Sequence, residues 1–232
     1  MSKVTKKKQS SGKKIAAFFD LDHTLLQINC GVYYSLHLVK RLRAPPRVVL
    51  HLCIGGILYL LFLYSPEAFL RRQVQYLRGI SVAAFTKYAD EVFAHNPERF
   101  FRPGVVRRYL WHKEQGHRVF IITQSCDLLA QYFARLLKPD ALISTELGIK
   151  DGKFTGDAHF CISDHKHKVV LDLARRYHLN LDKSYAYTDS VHDIRMLRLV
   201  GNVVVVNPKI RLSAAARKRG WKILKVRRVR RS

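Results

Sequence analysis

The sequence predicts an α/β chain, a doubly wound parallel sheet interrupted after its first strand by a long insertion. Three observations carry this expectation. Short apolar runs end in polar residues at Ile15 to Asp20, Arg118 to Thr123, Ala141 to Thr145, Ser184 to Asp189 and Asn202 to Asn207. Helical patterns lie between them: Leu128, Leu129, Tyr132, Phe133, Leu136 and Leu137 recur at helical spacing, as do Val170, Leu171, Ala174 and Tyr177. From about Cys30 to about Arg102 the alternation stops. Near-continuous apolar strands need cover on both faces, and helices between parallel strands provide it.

The chain has 232 residues, 48% of them hydrophobic, enough for one such core plus a smaller inserted unit. Its net charge is +25, unevenly placed. Residues 1–14 form a basic head without apolar periodicity, carrying Lys3, Lys6, Lys7, Lys8, Lys13 and Lys14, and are expected to be disordered. A basic run from Arg217 ends in the tail 225–232, with Lys225, Arg227, Arg228, Arg230 and Arg231. Such arms seek polyanions, either an anionic membrane surface or nucleic acid. No helix-turn-helix, zinc-finger or aromatic-basic pattern accompanies them, so nucleic acid rests on charge alone. Cys30, Cys53, Cys126 and Cys161 show no C-x-x-C pairing. That argues against a zinc site or a disulfide framework and suits a reducing cytosol. The basic head runs into a strand rather than an apolar leader, so no signal peptide is expected.

The first strand delivers Asp20 and, two residues on, Asp22. Paired carboxylates at a buried strand end repel each other and lose solvation, so a cation or a reaction must hold them there. The pattern returns at Tyr185-Ala186-Tyr187-Thr188-Asp189, with Asp193 four residues later. Brought together, the two strand ends make an oxygen-rich site for a hard divalent ion, Mg²⁺. Ligands of such sheets bind at the carboxyl ends of the strands, where these residues fall.

Within the insertion, no charged residue stands between Arg47 and Glu67, a length that suits a membrane helix. Asp20 precedes this apolar segment, 47–66, and Asp189 follows it. Both meet at one site, so a single crossing is excluded. Three readings stay open: a re-entrant element bent at Ala44-Pro45-Pro46, an interfacial helix, or a buried or dimerising helix of the insertion. Flanking Lys40, Arg41, Arg43, Arg71 and Arg72 favour the membrane, each cation near an anionic leaflet adding about 1 kcal/mol. Further on, Asp151-Gly152 between strand-like residues predicts a β-hairpin over 149–154.

Taken together, Asp20-x-Asp22-x-Thr24 and Thr188-Asp189-Ser190-x-x-Asp193 resemble two motifs of the haloacid dehalogenase superfamily of phosphohydrolases, in its phosphoserine-phosphatase-like branch. The resemblance runs from Ile15 to Leu224 and includes Val206-Asn207-Pro208 and Arg219-Gly220-Trp221. It implies a Rossmann-like core at 15–29 and 103–224, with a helical cap at 30–102 over the site. It also implies that Asp20 is the nucleophile, forming an aspartyl-phosphate, and that Asp22 is the general acid and base. Asp20, Asp189 and the Asp22 carbonyl would hold Mg²⁺, with Asp193 completing the shell directly or through water. Thr24 would bind phosphate with Thr123, for which Ser125 is the alternative. Of two candidate lysines, Lys168 fits the family spacing better than Lys166. The chain departs from the pattern in lacking a glycine near this lysine and before Asp189, where Thr188 stands.

The cap decides the substrate. No Asp or Glu lies from His23 through Pro66, which disfavours a phosphoserine-type ammonium and leaves Glu67 and Glu98 as its candidate partners. An apolar insertion flanked by arginines is similar to that of the family's phosphatidylglycerophosphatases, implying a phospholipid phosphomonoester and a place at the cytoplasmic face of a membrane. A cytoplasmic small-metabolite phosphatase, of the phosphoserine or histidinol phosphate type, and a nucleic-acid-binding protein are the alternatives.

Overall fold

A computed structural model of the protein describes residues 13–40, 66–161 and 163–227. The apolar segment 47–66, Pro66 apart, lies outside the described residues, as do the head to residue 12 and the tail beyond Arg227. Seven strands form one sheet, β1 (Ala16–Phe19), β2 (Arg118–Cys126), β3 (Ala141–Lys150), β4 (Lys153–His159), β5 (Tyr185–Thr188), β6 (Asn202–Val206) and β7 (Lys222–Leu224), in the order β4-β3-β2-β1-β5-β6-β7. All neighbours are parallel except β3 and β4. This is the expected doubly wound α/β architecture. The order reverses at β1, between β2 and β5, which opens a crevice beyond its carboxyl end.

Period-two alternation sorts β1 onto two cores. Ala17 and Phe19 face one with Ile121 and Tyr187, and Ala16 and Phe18 face the other with Phe120 and Ala186. All four β1 residues are fully buried. Phe19 stacks on Tyr187 at 4.3 Å between ring centroids and Phe18 on Phe120 at 5.5 Å. Truncating any of these rings would cost about 3–5 kcal/mol. The strand that ends in Asp20 is therefore anchored from both sides.

The helices α4 (Pro103–Glu114) and α5 (Asp127–Leu137) cover the first face. On the second lie α6 (Ser163–Arg176), the short α7 (Ile194–Leu197) and α8 (Ile210–Lys218). The insertion, where described, is helical: α1 (Cys30–Lys40), α2 (Pro66–Tyr76) and α3 (Val82–Phe93). Ser81 starts α3 as its N-cap, its hydroxyl accepting from Ala84 N at 3.4 Å. Phe85, Tyr88, Ala89, Val92 and Phe93 form its buried stripe. No helix among the described residues is long and apolar enough to cross a membrane.

Asp151 (φ 50°) and Gly152 (φ 70°) make the turn of the β3–β4 hairpin, the left-handed pair that a tight two-residue connection requires. This hairpin holds the insertion in place. Gly79 N donates to Phe154 O, Phe154 N to Ile80 O and Val82 N to Gly152 O, at 2.9, 3.0 and 2.9 Å.

Candidate active site

Beyond β1 the chain makes a tight loop over Leu21–Leu25, closed by Leu26 N donating to Leu21 O at 2.9 Å. His23 sits in it with φ 56°, a left-handed conformation for which glycine is best suited. Arg102, 4% exposed, supports the loop from the residue before α4, its Nε donating to the carbonyls of His23 and Leu26 at 3.1 and 3.2 Å. Asp20 N donates to Tyr187 O at 2.9 Å, so the ends of β1 and β5 lie side by side. The ladder thus brings Asp20 and Asp189 together across a sequence gap that no local pattern spans.

Between them stands Thr24, fully buried. Its hydroxyl accepts from Asp189 N at 3.0 Å and faces Asp20 Oδ2 at 3.2 Å and Asp189 Oδ1 at 3.4 Å. Thr24 therefore clips the two strand ends together, and its side chain is not part of the cavity wall. The expectation that it binds phosphate is corrected on this geometry: its hydroxyl is directed at the carboxylates.

The lysine is corrected too. Lys166, 2% exposed, donates to Asp20 Oδ1 at 2.7 Å and Asp193 Oδ2 at 3.0 Å, whereas Lys168 is exposed and does not line the cavity. On α6 Lys166 lies one turn before the buried Val170, on the inward face, and Lys168 points away. Asp193, 1% exposed, also accepts from Thr188 Oγ1 at 2.7 Å. It anchors the lysine.

On the other side of Asp20, the half-buried Asp22 accepts from the Cys30 backbone N at 2.8 Å and from the Ser125 hydroxyl. Cys30 Sγ in turn donates to Ser125 Oγ at 3.2 Å. Thr123 and Ser125 both face the cavity, and Thr123 Oγ1 accepts from Ser125 N at 3.1 Å. Their contacts within the protein differ: Ser125 holds Asp22, and Thr123 holds the Ser125 backbone. Sequence reasoning missed the Ser125–Asp22 link, for which only proximity to a strand end gave a signal.

Burial pushes the Asp20 carboxyl up to about 7, with Asp193 and Asp189 adding to the rise and Lys166 opposing it. Burial also raises Asp189. For Lys166 burial works against the charge, but Asp193 and Asp20 outweigh it and hold the ammonium above its usual range. Lys166 pairs with Asp20 and Asp193, whereas among the described residues no ion pair is shown for Asp22 or Asp189 at the same cavity floor, an arrangement of carboxylates that favours a cation. The donors are all oxygen, as Mg²⁺ prefers. Among the described residues no group of three His, Cys, Asp or Glu side chains is disposed to hold a metal. A cation on Asp20 and Asp189 would thus also need the Asp22 carbonyl and substrate or water oxygens.

These groups line the floor of a cavity of about 1380 Å³ roofed by the insertion. Cys30, Cys126 and Cys161 are free thiols, and burial raises all three above their ordinary range. None is an activated nucleophile.

Residues 17–198 match the haloacid dehalogenase-like hydrolase family. The phosphoserine phosphatase SerB1 of Mycobacterium tuberculosis is 32% identical over 224 residues, covering 90% of this chain and 70% of the relative. A histidinol-phosphatase of Neisseria meningitidis is 25% identical, over 91% of this chain and 98% of its own length. A phosphoserine phosphatase structure, a phospho-aspartyl intermediate analogue, shares the fold with a TM-score of 0.65 and 20% identity, over 94% of this chain and 95% of that one. The chain belongs to the haloacid dehalogenase-like hydrolase family and is an enzyme, a phosphatase with phosphoserine-phosphatase-like relatives.

Proposed function

We propose that the protein hydrolyses organic phosphomonoesters in two steps through a phosphoryl group carried on Asp20. The observation that supports this most is the convergence of Asp20, Asp22, Asp189 and Lys166 on the floor of one cavity. An Asp20 carboxylate oxygen attacks phosphorus as the ester P–O bond breaks, and Asp22 gives its proton to the leaving alkoxide. Asp22 then takes a proton from water, whose oxygen attacks the same phosphorus. That step releases inorganic phosphate and restores the Asp20 carboxylate. Lys166 offsets the negative charge gathered around phosphorus, and Asp193 keeps it oriented.

Phosphatases of this family generally use Mg²⁺. Asp20, Asp189 and the Asp22 carbonyl would hold it here, and Asp193 acts through Lys166 rather than as a first ligand. When bound, the ion supplies charge that lets an anionic nucleophile approach an anionic ester.

For the leaving group, a phospholipid phosphate such as phosphatidylglycerophosphate is the reading that the composition of the cap supports, with work at the cytoplasmic face of a membrane. A small polar metabolite handled in the cytoplasm is the second reading, supported by the phosphoserine and histidinol phosphatases among the relatives. Turnover of p-nitrophenyl phosphate with Mg²⁺, against that of Asp20→Asn, tests the reaction. Substrates of the two classes, compared at equal phosphate concentration, test the leaving group.

A further inference from the structure

From Asp20 the cavity runs beneath α1, α2 and α3, where Tyr34, Leu38, Val74, Leu77 and Phe85 form its wall. Tyr34, Val74 and Phe85 are buried. The Tyr34 hydroxyl donates to Phe85 O at 3.2 Å, so its polar end is satisfied, and its ring packs on Phe85 and Tyr88 at the cavity's edge. Among residues 30–40 and 70–102 of the insertion, the charged side chains at the cavity are Lys87 and Glu91, both on the exposed side of α3. No Asp or Glu stands anywhere between His23 and Pro66.

A zwitterionic alcohol such as serine carries an ammonium and a carboxylate. Each must be paired when it leaves water, or its binding is heavily penalised. Glu91 is the one carboxylate that cap residues 30–40 and 70–102 offer at the cavity. The remaining carboxylates of the cavity are those already engaged around Asp20. An aliphatic chain needs no partner and gains by leaving water. The cavity, at about 1380 Å³, also exceeds the roughly 300–1,000 Å³ that suffices for drug-sized ligands. Resting on the phosphomonoesterase reading, we propose that the leaving alcohol carries an aliphatic body, which Leu38, Val74, Leu77, Phe85 and the Tyr34 ring select.

The test is a series of primary alkyl phosphates from methyl to dodecyl, with O-phosphoserine and p-nitrophenyl phosphate, assayed on the full chain with Mg²⁺. Each buried methylene should raise kcat/KM roughly fourfold until the wall is filled. In Leu77→Gln, and in the milder Leu77→Ala, the ratio of kcat/KM for dodecyl over methyl phosphate should fall at least about tenfold. Binding of dodecylphosphonate over methylphosphonate, measured calorimetrically, should change in the same direction.

A flat length dependence, or a preference for O-phosphoserine, would overturn the proposal. Continued turnover of p-nitrophenyl phosphate would then leave the phosphatase reading standing. If no ester turns over, that reading fails, and the phosphonates decide the wall: equal binding of the two overturns it, tighter binding of the longer one upholds it. Saturation by soluble hexyl phosphate would point to a free amphiphile, and activity confined to esters in vesicles to a membrane lipid. Both share the aliphatic chemistry proposed.

Discussion

Lys166 Nζ lies 2.7 Å from Asp20 Oδ1 and 3.0 Å from Asp193 Oδ2, so one buried ammonium joins the end of β1 to the turn after β5. Breaking a buried pair leaves an uncompensated charge, whereas an exposed lysine contributes little. Lys166→Met should therefore lose about 3–5 kcal/mol of stability and at least about 100-fold in kcat. Lys168→Met should stay within about 0.5 kcal/mol of the parent. Urea melts and phosphatase assays of the two variants would check this contrast, and equal losses would contradict it.

Thr24 separates a clip from a phosphate ligand. Its hydroxyl faces Asp20 and Asp189 rather than the cavity. Thr24→Val should lower kcat and weaken Mg²⁺ activation while leaving KM within about twofold, because ground-state phosphate contacts are untouched. Thr24→Ser, which keeps the hydroxyl, should restore most of the loss. A large rise in KM with kcat preserved would return Thr24 to the substrate.

Arg102 acts on the loop that carries Asp22. Its Nε reaches the carbonyls of His23 and Leu26, and its removal leaves both without that donor. Arg102→Met should cost about 1–3 kcal/mol and slow turnover. His23→Gly should be tolerated, since φ 56° suits glycine. His23→Val should not. Thermal melts and kcat measurements would rank the three.

His112 is expected to contribute a part of the stability that acid removes. It is fully buried, with Nδ1 2.8 Å from His117 Nδ1 and Nε2 2.9 Å from the Tyr187 hydroxyl. Burial, then His117 and Arg108, push its pKa down to about 3. Between that value and the unfolded value near 6.5 the unfolded chain binds the extra proton, so stability falls as pH drops through this window. At pH 5 this group should cost about 2 kcal/mol relative to pH 7. Denaturant melts at the two pH values should show the stability at pH 5, relative to pH 7, higher by about 2 kcal/mol in His112→Gln than in the parent, since Asp20, whose raised pKa acts in the opposite sense, contributes equally to both.

The sheet was legible in the sequence because each inner strand is a short apolar run closed by a polar residue, and β1, β5 and β6 end within a residue of the expected places. The far end of β2 was not. A register shift between Ile122 and Cys126 lets the strand continue through Ser125 and pair again at Thr145, which no alternation pattern signals. Three-residue β7 is hidden among basic residues at the sheet edge. Lys166 could have been found by counting. Val170 and Leu173 mark the inward face of α6, and one turn back from Val170 is residue 166, whereas Leu171 is 39% exposed. The direction of the Thr24 hydroxyl depends on β1 and β5 meeting, a long-range fact that local sequence does not contain.

The covalent step is tested most directly by rapid acid quenching with a ³²P-labelled phosphomonoester and Mg²⁺. The account predicts a phosphoryl label on the protein that maps to Asp20, is released by hydroxylamine, and is absent in Asp20→Asn along with turnover. An unlabelled wild type whose Asp20→Asn variant keeps more than a few per cent of its activity would contradict it.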